Sequence, residues 1–381
     1  MRILDAPDIV GSDQPRAVRD VATELLAAGA LSRPELASRL GLSLASITRY
    51  ATPLLRSGLA VERPDPEASA IGRPVNLIDL AVDDHRFAGC KITGGSAYAV
   101  LTDLRGTVIR SESTALPGHG VADVRARVAA LIRSLGPAPL TAVGVTVGGR
   151  VDDGRVIVDA PFLGWHGVDF AAQLAAELET PVVVDNDVVA LTSAARLFGA
   201  AGHPDDFAVI TVGAGVGYGL VVGGRQVGAG RPGMDGGAHV TLDPAGPACE
   251  RGHPGCASVW VSVPGMSTRA GELLGRPLAE GEFERLVVAG DVACTAVLAD
   301  AARALARWLS LVADIAMVDA FLLSGEGAEL FAPRIGEITR EVRARAGGER
   351  AEAVITIDGS GFEGWARAAA VAAIRAALRG A

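Results

Sequence analysis

Two stretches of this chain share a pattern that few folds accommodate. Phe87 to Ile92 reads as a strand, Thr93-Gly94-Gly95-Ser96 as its hairpin and Ala97 to Thr102 as the return strand. In the second half, Phe207 to Val212, the loop Gly213-Ala214-Gly215-Val216-Gly217-Tyr218-Gly219 and Leu220 to Val222 repeat the arrangement. One glycine hairpin serves a turn. Two at corresponding places in two halves of an α/β chain are stronger evidence, since such hairpins facing each other across a cleft can clasp phosphates through backbone N–H groups. Around them strands alternate with Ala-rich helices: a helix over Val121 to Ser134, a strand over Ala142 to Val147, and a helix over Asp169 to Glu179 capped by Asp169. Val182-Val183-Val184 then runs into Asp185-Asn186-Asp187, which places carboxylates where a buried strand gives way to a helix, the crevice in which α/β sheets bind ligands. With 49% hydrophobic and only 4% aromatic residues, the cores must be built from small aliphatic side chains. A length of 381 residues implies two or three of them.

The net charge of -9 is unevenly spread. Gln14 to Arg63 holds seven Arg and four acidic residues, a balance of +3 against -12 for the rest, so a small basic module precedes a large acidic one. Val18, Val21, Leu25 and Leu26 recur at helical spacing and Gly29 ends that helix. Ser32-Arg33-Pro34-Glu35 is a capping box for a second helix carrying Leu36 and Leu40, and Gly41-Leu42-Ser43 is a tight turn. Ser43 caps a third helix through Ile47, Tyr50 and Leu54, whose other face shows Ser46, Thr48 and Arg49, side chains suited to base edges and phosphates. Pro53 should tighten or kink it. Leu59 to Glu62 and Val75 to Leu80 alternate like paired strands around a polar tip, with Arg73 a candidate for the minor groove. Together they outline a winged helix-turn-helix over residues 1–80, with Ser43, Ser46, Thr48, Arg49 and Arg73 as the DNA-binding residues.

Cys90, Cys249, Cys256 and Cys294, together with an opening that lacks the basic end and apolar run of a signal peptide, predict a reducing, cytoplasmic setting. The apolar region from Ala304 to Leu323 is interrupted by Arg307, Asp314 and Asp319, which argues against a membrane span.

Several motifs combine into a family likeness: Gly72-Arg73-Pro74, the Gly94-Gly95 hairpin, Ala160-Pro161-Phe162-Leu163-Gly164-Trp165, Asp185-Asn186-Asp187, the Gly213 to Gly219 loop, Leu323-Ser324-Gly325-Glu326-Gly327 and the stretch Asp235 to Ser258. In these the chain resembles the ROK family of repressors, open reading frames and kinases. The resemblance implies a two-lobed actin-like ATPase fold after the winged helix-turn-helix, with lobe 1 over 81–200, lobe 2 with a His/Cys loop over 201–362, and a C-terminal helix, 363–380, returning to lobe 1. It also implies a sugar site between the lobes.

Measured against the family's kinases, the chain departs at the chemistry. The acidic residue that helps place magnesium with the ATP phosphates corresponds to Lys91 or its neighbours, none of them a carboxylate. Two unit charges ~4 Å apart interact by roughly 4 kcal/mol at an effective dielectric near 20, so a lysine there turns attraction for magnesium into repulsion. ATP and magnesium are not expected to be used, and Asp187, which matches the family's general base, is vestigial. The bland reading of Asp185 and Asp187 is that they cap the following helix. Phe162 stands where an Asn is usual, Gly236 where a glutamate is usual unless Asp235 reaches in, and Ser258 where another glutamate belongs. The expected effector residues are Phe162, Asn186, Asp187, Asp235 and His239, and the effector a sugar or sugar-like small molecule.

The family's zinc loop takes one His and three Cys. Here His239 and Cys249 keep the nine-residue gap and Cys256 is in place, but the middle cysteine is Arg251. His253 can supply the fourth ligand, giving a zinc set of His239, Cys249, His253 and Cys256. The alternative is that the metal is lost and the two thiols remain as small hydrophobes. These expectations describe a DNA-binding repressor acting as a homodimer or higher homo-oligomer on a palindromic double-stranded operator, with no membrane partner. The rivals are an ATP-dependent, glucokinase-like sugar kinase with a DNA-binding appendage, and a scaffold that has lost both functions.

Overall fold

In the computed structural model the described residues are 10, 14–65, 76–137, 139–199, 205–228, 234–345 and 352–379, with side chains described for all of these except 234–236, 345 and 379. By internal contacts the chain divides into two units, residues 1–198 with 363–381, and residues 199–362.

The first unit begins with α1 (Arg16–Ala28), β1 (Leu31–Ser32), α2 (Arg33–Leu40) and α3 (Leu44–Ser57). Val18, Val21, Leu25 and Leu26 of α1 are buried with Leu36, Ile47 and Leu54, so apolar spacing becomes a three-helix core. The capping box closes in both directions. The Glu35 N–H donates to Ser32 Oγ at 3.4 Å, and the Ser32 N–H donates to Glu35 Oε2 at 2.8 Å. Gly41 adopts φ 63°, which a residue with a Cβ avoids, and so makes the turn into α3. Pro53 does not stop α3, which continues to Ser57. β2 (Ala60–Pro64) and β3 (Asn76–Leu80) pair antiparallel, with β1 on the other edge of β3. The wing tip, including Gly72, Arg73 and Pro74, lies outside the described residues.

Next come β4 (Phe87–Ile92), β5 (Ser96–Thr102), β6 (Val108–Ala115), α4 (Val121–Ser134), β7 (Ala142–Val147), a small antiparallel sheet of β8 (Arg150–Asp152), β9 (Val156–Ala160) and β10 (Trp165–Val168), then α5 (Phe170–Leu178), β11 (Val182–Asn186) and α6 (Asp187–Phe198). The main sheet runs β11-β7-β4-β5-β6. The small sheet has no counterpart in the sequence reading, because strands of three to five residues carry too little alternation to be seen.

The second unit holds β12 (Phe207–Val212), β13 (Val216–Val222), β14 (Arg225–Val227), α7 (Ala257–Val261), α8 (Val263–Leu274), α9 (Glu282–Val288), α10 (Val292–Ala316), β15 (Ala320–Ser324), α11 (Ile335–Arg345) and β16 (Val354–Ile357). Its sheet order is β14-β13-β12-β15-β16. In both five-stranded sheets the central strand pairs antiparallel on one side with the first of two hairpin-connected strands, and parallel on the other with the first of two strands that are themselves parallel. The duplication glimpsed in the hairpins therefore extends through both sheets. The long α10 buries Trp308, Leu309, Val312 and Ala313 in the unit's core, leaving Leu311, Ile315 and Met317 exposed.

The last helix, α12 (Gly361–Arg379), belongs to the first unit. It lies directly on β4 and β7, where a Cβ added to Gly89 would sit 2.0 Å from the Ala366 carbonyl oxygen and one on Gly144 1.8 Å from that of Ala369. Only glycine allows this approach. Near its far end the Leu378 carbonyl accepts from Arg19 of α1 at 3.0 Å, while Arg105, in the turn after β5, donates to the Leu26 carbonyl at 3.1 Å and pairs with Asp79 of β3. The helix-turn-helix module is thus hydrogen-bonded to the rest of its unit. Among the described residues no helix is long and apolar enough to cross a membrane.

Candidate functional site

The outer face of α3 carries the first candidate set. Ser43 caps the helix by accepting the Ser46 N–H at 3.2 Å, and its hydroxyl donates to Ser46 Oγ at 3.0 Å. Thr48 and Arg49 are exposed; Thr48 turns its hydroxyl to the Leu44 carbonyl, and the Arg49 guanidinium lies 4.7 Å from the Tyr50 ring centroid. Four of the five expected DNA-binding residues thus share one turn and the helix it starts. Arg73 is outside the described residues.

The second set gathers at the ends of β4, β7 and β11. Asp187 opens α6, where its Oδ1 accepts the Val188 N–H at 2.9 Å, and its Oδ2 accepts from the ammonium of Lys91, the penultimate residue of β4. Both side chains are enclosed, at 7% exposure for Lys91 and 12% for Asp187. Lys91 Nζ also lies 5.1 Å from the ring centroid of Trp365 on α12. A Cβ on Gly148 would be 3.2 Å from Phe162 Cδ2 and 3.4 Å from Asp187 Oδ2, so the half-exposed Phe162 ring and the carboxylate flank one narrow gap. Asn186 is engaged at both ends of its amide: Nδ2 donates to the Gly149 carbonyl at 2.8 Å, and Oδ1 accepts the Val189 N–H at 3.0 Å. Its role here is to cap α6. Burial raises Asp185 from the usual carboxylate range to about 6, with Arg375 opposing that rise. Asp235 and His239, the other two expected effector residues, belong to the second unit; both lie in the turn Met234–His239, and the Asp235 side chain is outside the described residues.

The glycine hairpins depart from the expected phosphate clasp. At the first, Thr93 Oγ1 already accepts from the Ser96 N–H at 3.0 Å and from the Gly95 N–H at 3.4 Å. At the second, the Ala214 N–H donates to Glu326 at 2.6 Å, and a Cβ on Gly213 would fall 2.3 Å from that carboxylate. These backbone donors are spent on the chain's own oxygens. The motif Leu323-Ser324-Gly325-Glu326-Gly327 is legible in the sequence, but nothing in it assigns Glu326 this role as acceptor.

The third set is the His/Cys loop. Cys249 Sγ lies 3.7 Å from His239 Nδ1 and 3.5 Å from His253 Nδ1, and Cys256 Sγ lies 3.7 Å from His239 Nδ1. The ligand atoms of His239, Cys249 and His253 fall within 4.8 Å of one another, a group able to hold a metal ion. Tight backbone turns set this geometry: the Gly252 N–H donates to the Cys249 carbonyl at 2.8 Å, and Gly255, at φ 48°, approaches the Asp243 carbonyl so closely that a Cβ would meet it at 1.7 Å.

A duplicated sheet of this order, preceded by a helix-turn-helix, defines the class as a two-lobed actin-like fold with an N-terminal helical module. The ROK family model matches residues 88–362, and the chain belongs to the ROK family. It is 24% identical over 246 residues to the xylose repressor of Bacillus subtilis, which covers 63% of this chain and 64% of that protein, so the chain spans a little under two thirds of that relative's length. Over 333 residues it is 23% identical to the DNA-binding transcriptional repressor Mlc of Escherichia coli, covering 82% of each. The crystal structure of a ROK family transcriptional regulator described as a homolog of the E. coli MLC protein matches with a TM-score of 0.73 at 22% identity, covering 95% of this chain and 96% of that one. That likeness shows the fold.

Proposed function

We propose that the protein is a DNA-binding transcriptional repressor that senses a sugar or sugar-like molecule and has no sugar-kinase activity. The observation that carries the reading is the exposed polar face of α3, with Ser43, Ser46, Thr48 and Arg49 on one capped helix of a ROK chain. Such a helix suits the major groove, where short polar and forked side chains meet base edges and phosphates. The names of the xylose repressor and Mlc support it, since both are repressors. Phe162 and Asp187 form the effector contact in the first unit, offering a ring face and an acceptor. Asn186 supports them by fixing the start of α6. A homodimer on a palindromic operator, with half-sites spaced by a whole number of helical turns, follows from two-fold symmetry.

Kinase chemistry is disfavoured because Lys91 holds the one carboxylate placed to act as base, and because hairpin N–H groups that would hold phosphate already have partners. Fragments selected from a random DNA pool should share a motif with two-fold symmetry. Recovery of no common motif at moderate salt would sink the reading. Steady turnover of ATP with any sugar in a coupled ADP-release assay would restore the kinase.

For the His/Cys loop we infer a structural zinc site of His239, Cys249, His253 and Cys256. Tetrahedral zinc with its usual bonds to sulfur and nitrogen sets neighbouring S and N ligand atoms about 3.6 Å apart. The three S···N separations here are 3.7, 3.5 and 3.7 Å. His253 thereby takes the place that Arg251 left without a thiol.

A further inference from the structure

The buried lysine beside Asp187 has a consequence beyond the loss of kinase chemistry. Lys91, Thr146 and Asp185 are direct neighbours in register on the parallel strands β4, β7 and β11, so their side chains leave the same face of the sheet. Two residues earlier on that face, Gly89 and Gly144 admit α12, whose Trp365 closes over the Lys91 ammonium. The row is therefore shut in beneath a helix. Its own cation is Lys91, Arg375 of the covering helix attracts Asp185, and the carboxylates of Asp185 and Asp187 lie near enough to repel each other. Thr146 Oγ1 is fully buried and has no hydrogen-bond partner. Without the ammonium, two carboxylates and a hydroxyl oxygen would face one enclosed space, the oxygen-rich donor set that a hard divalent cation takes.

We propose that Lys91 is a built-in counter-cation occupying the place of a metal ion beside Asp187, and that it thereby restricts this site to uncharged, hydroxyl-bearing ligands. A divalent cation meets the ammonium, and a ligand anion meets two carboxylates. A neutral hydroxyl meets neither penalty and can donate to Asp187 while the lysine stays paired with that carboxylate. The selection of ligand class rests on Asp187 being part of the effector site as proposed above; the counter-cation role does not.

Manganese alone is the probe, titrated into the full-length protein and followed by the loss of free-ion electron paramagnetic resonance signal. The His/Cys loop contributes equally to every variant and cancels in the comparison. Lys91→Asp should gain one manganese site per chain that the wild type lacks, and adding Asp187→Asn should weaken it by about tenfold or more, since one of three carboxylates is gone. A folded Lys91→Asp that binds no more manganese than the wild type overturns the proposal. Thermal melts of Lys91→Met, Asp187→Asn and the double variant give a second reading that needs no metal. Removing one partner of a buried pair strands the other charge, so each single variant should melt lower than the double. A double variant whose loss equals the sum of the singles overturns the counter-cation role. Neither measurement uses DNA or sugar, so failure here leaves the repressor reading standing, and failure to select DNA leaves the role of Lys91 standing.

Discussion

Asp185→Asn should stabilise the protein at neutral pH and remove part of its pH dependence. Asp185 is the penultimate residue of β11, and burial of its carboxyl raises it from the ordinary value of 3.8 to about 6. Between those values the folded chain binds more protons than the unfolded one, so stability falls as pH rises. The contribution is fully present below pH 3.8 and lost above about 6. At ~1.36 kcal/mol per pH unit, the cost of the charged form at pH 7 is about 3 kcal/mol. Asparagine keeps an oxygen to accept the Asn186 N–H, which now reaches Asp185 Oδ1 at 2.8 Å, and carries no charge to desolvate. The assay is urea unfolding of wild type and variant from pH 4 to pH 7, where about 3 kcal/mol corresponds to roughly 1 M in midpoint for a slope near 3 kcal/mol/M. Carboxylates held below their ordinary range by partners, such as Asp169 beside Arg155 and Glu35 beside Ser32, act in the opposite direction but equally in both proteins. The advantage of Asp185→Asn should grow from pH 4 to pH 7. An offset that stays constant, or a variant weaker than wild type at pH 7, would refute the reasoning.

Gly144→Ala places a methyl group 1.8 Å from the Ala369 carbonyl oxygen, so α12 must shift; a loss of at least about 3 kcal/mol in chemical denaturation is expected. Ser32→Ala removes the acceptor of the Glu35 N–H while the backbone N–H at 32 can still donate to Glu35 Oε2, and should cost about 1 kcal/mol, seen as a lower melting temperature. Arg49→Ala should weaken operator binding, and if its guanidinium meets a phosphate the slope of log affinity against log salt falls by about 1 in titrations at several salt concentrations. His253→Ala should lower the zinc content of protein purified without added metal or chelator, because three ligands remain of four; full retention would rule out His253 as a ligand.

The readable parts of this chain are those in which the decisive residues lie close in sequence. Ser32 and Glu35 are one helical turn apart, so their capping box is visible in the letters and recurs in the structure. The glycine hairpins are local for the same reason. Their chemistry is not: the Ala214 N–H is taken by Glu326, 112 residues away. Asn186 shows a different limit. Its amide suits either a ligand or a helix cap, and only the positions of the Gly149 carbonyl and the Val189 N–H direct it to the cap. Trp365 offers no signal at all, being one aromatic residue in an Ala-rich helix until that helix is laid across β4 and β7.

By itself the sequence determined the helix-turn-helix, the paired hairpins, the His and Cys spacing and the absence of a carboxylate around Lys91, because each depends on residues within a few turns of backbone or on residue type alone. The tertiary structure decided that Lys91 pairs with Asp187, 96 residues on, and that Trp365 of α12 closes over the lysine from the other end of the chain. Sheet register is the physical reason. Parallel pairing of β4, β7 and β11 brings Lys91, Thr146 and Asp185 abreast, and no local pattern encodes which strands become neighbours.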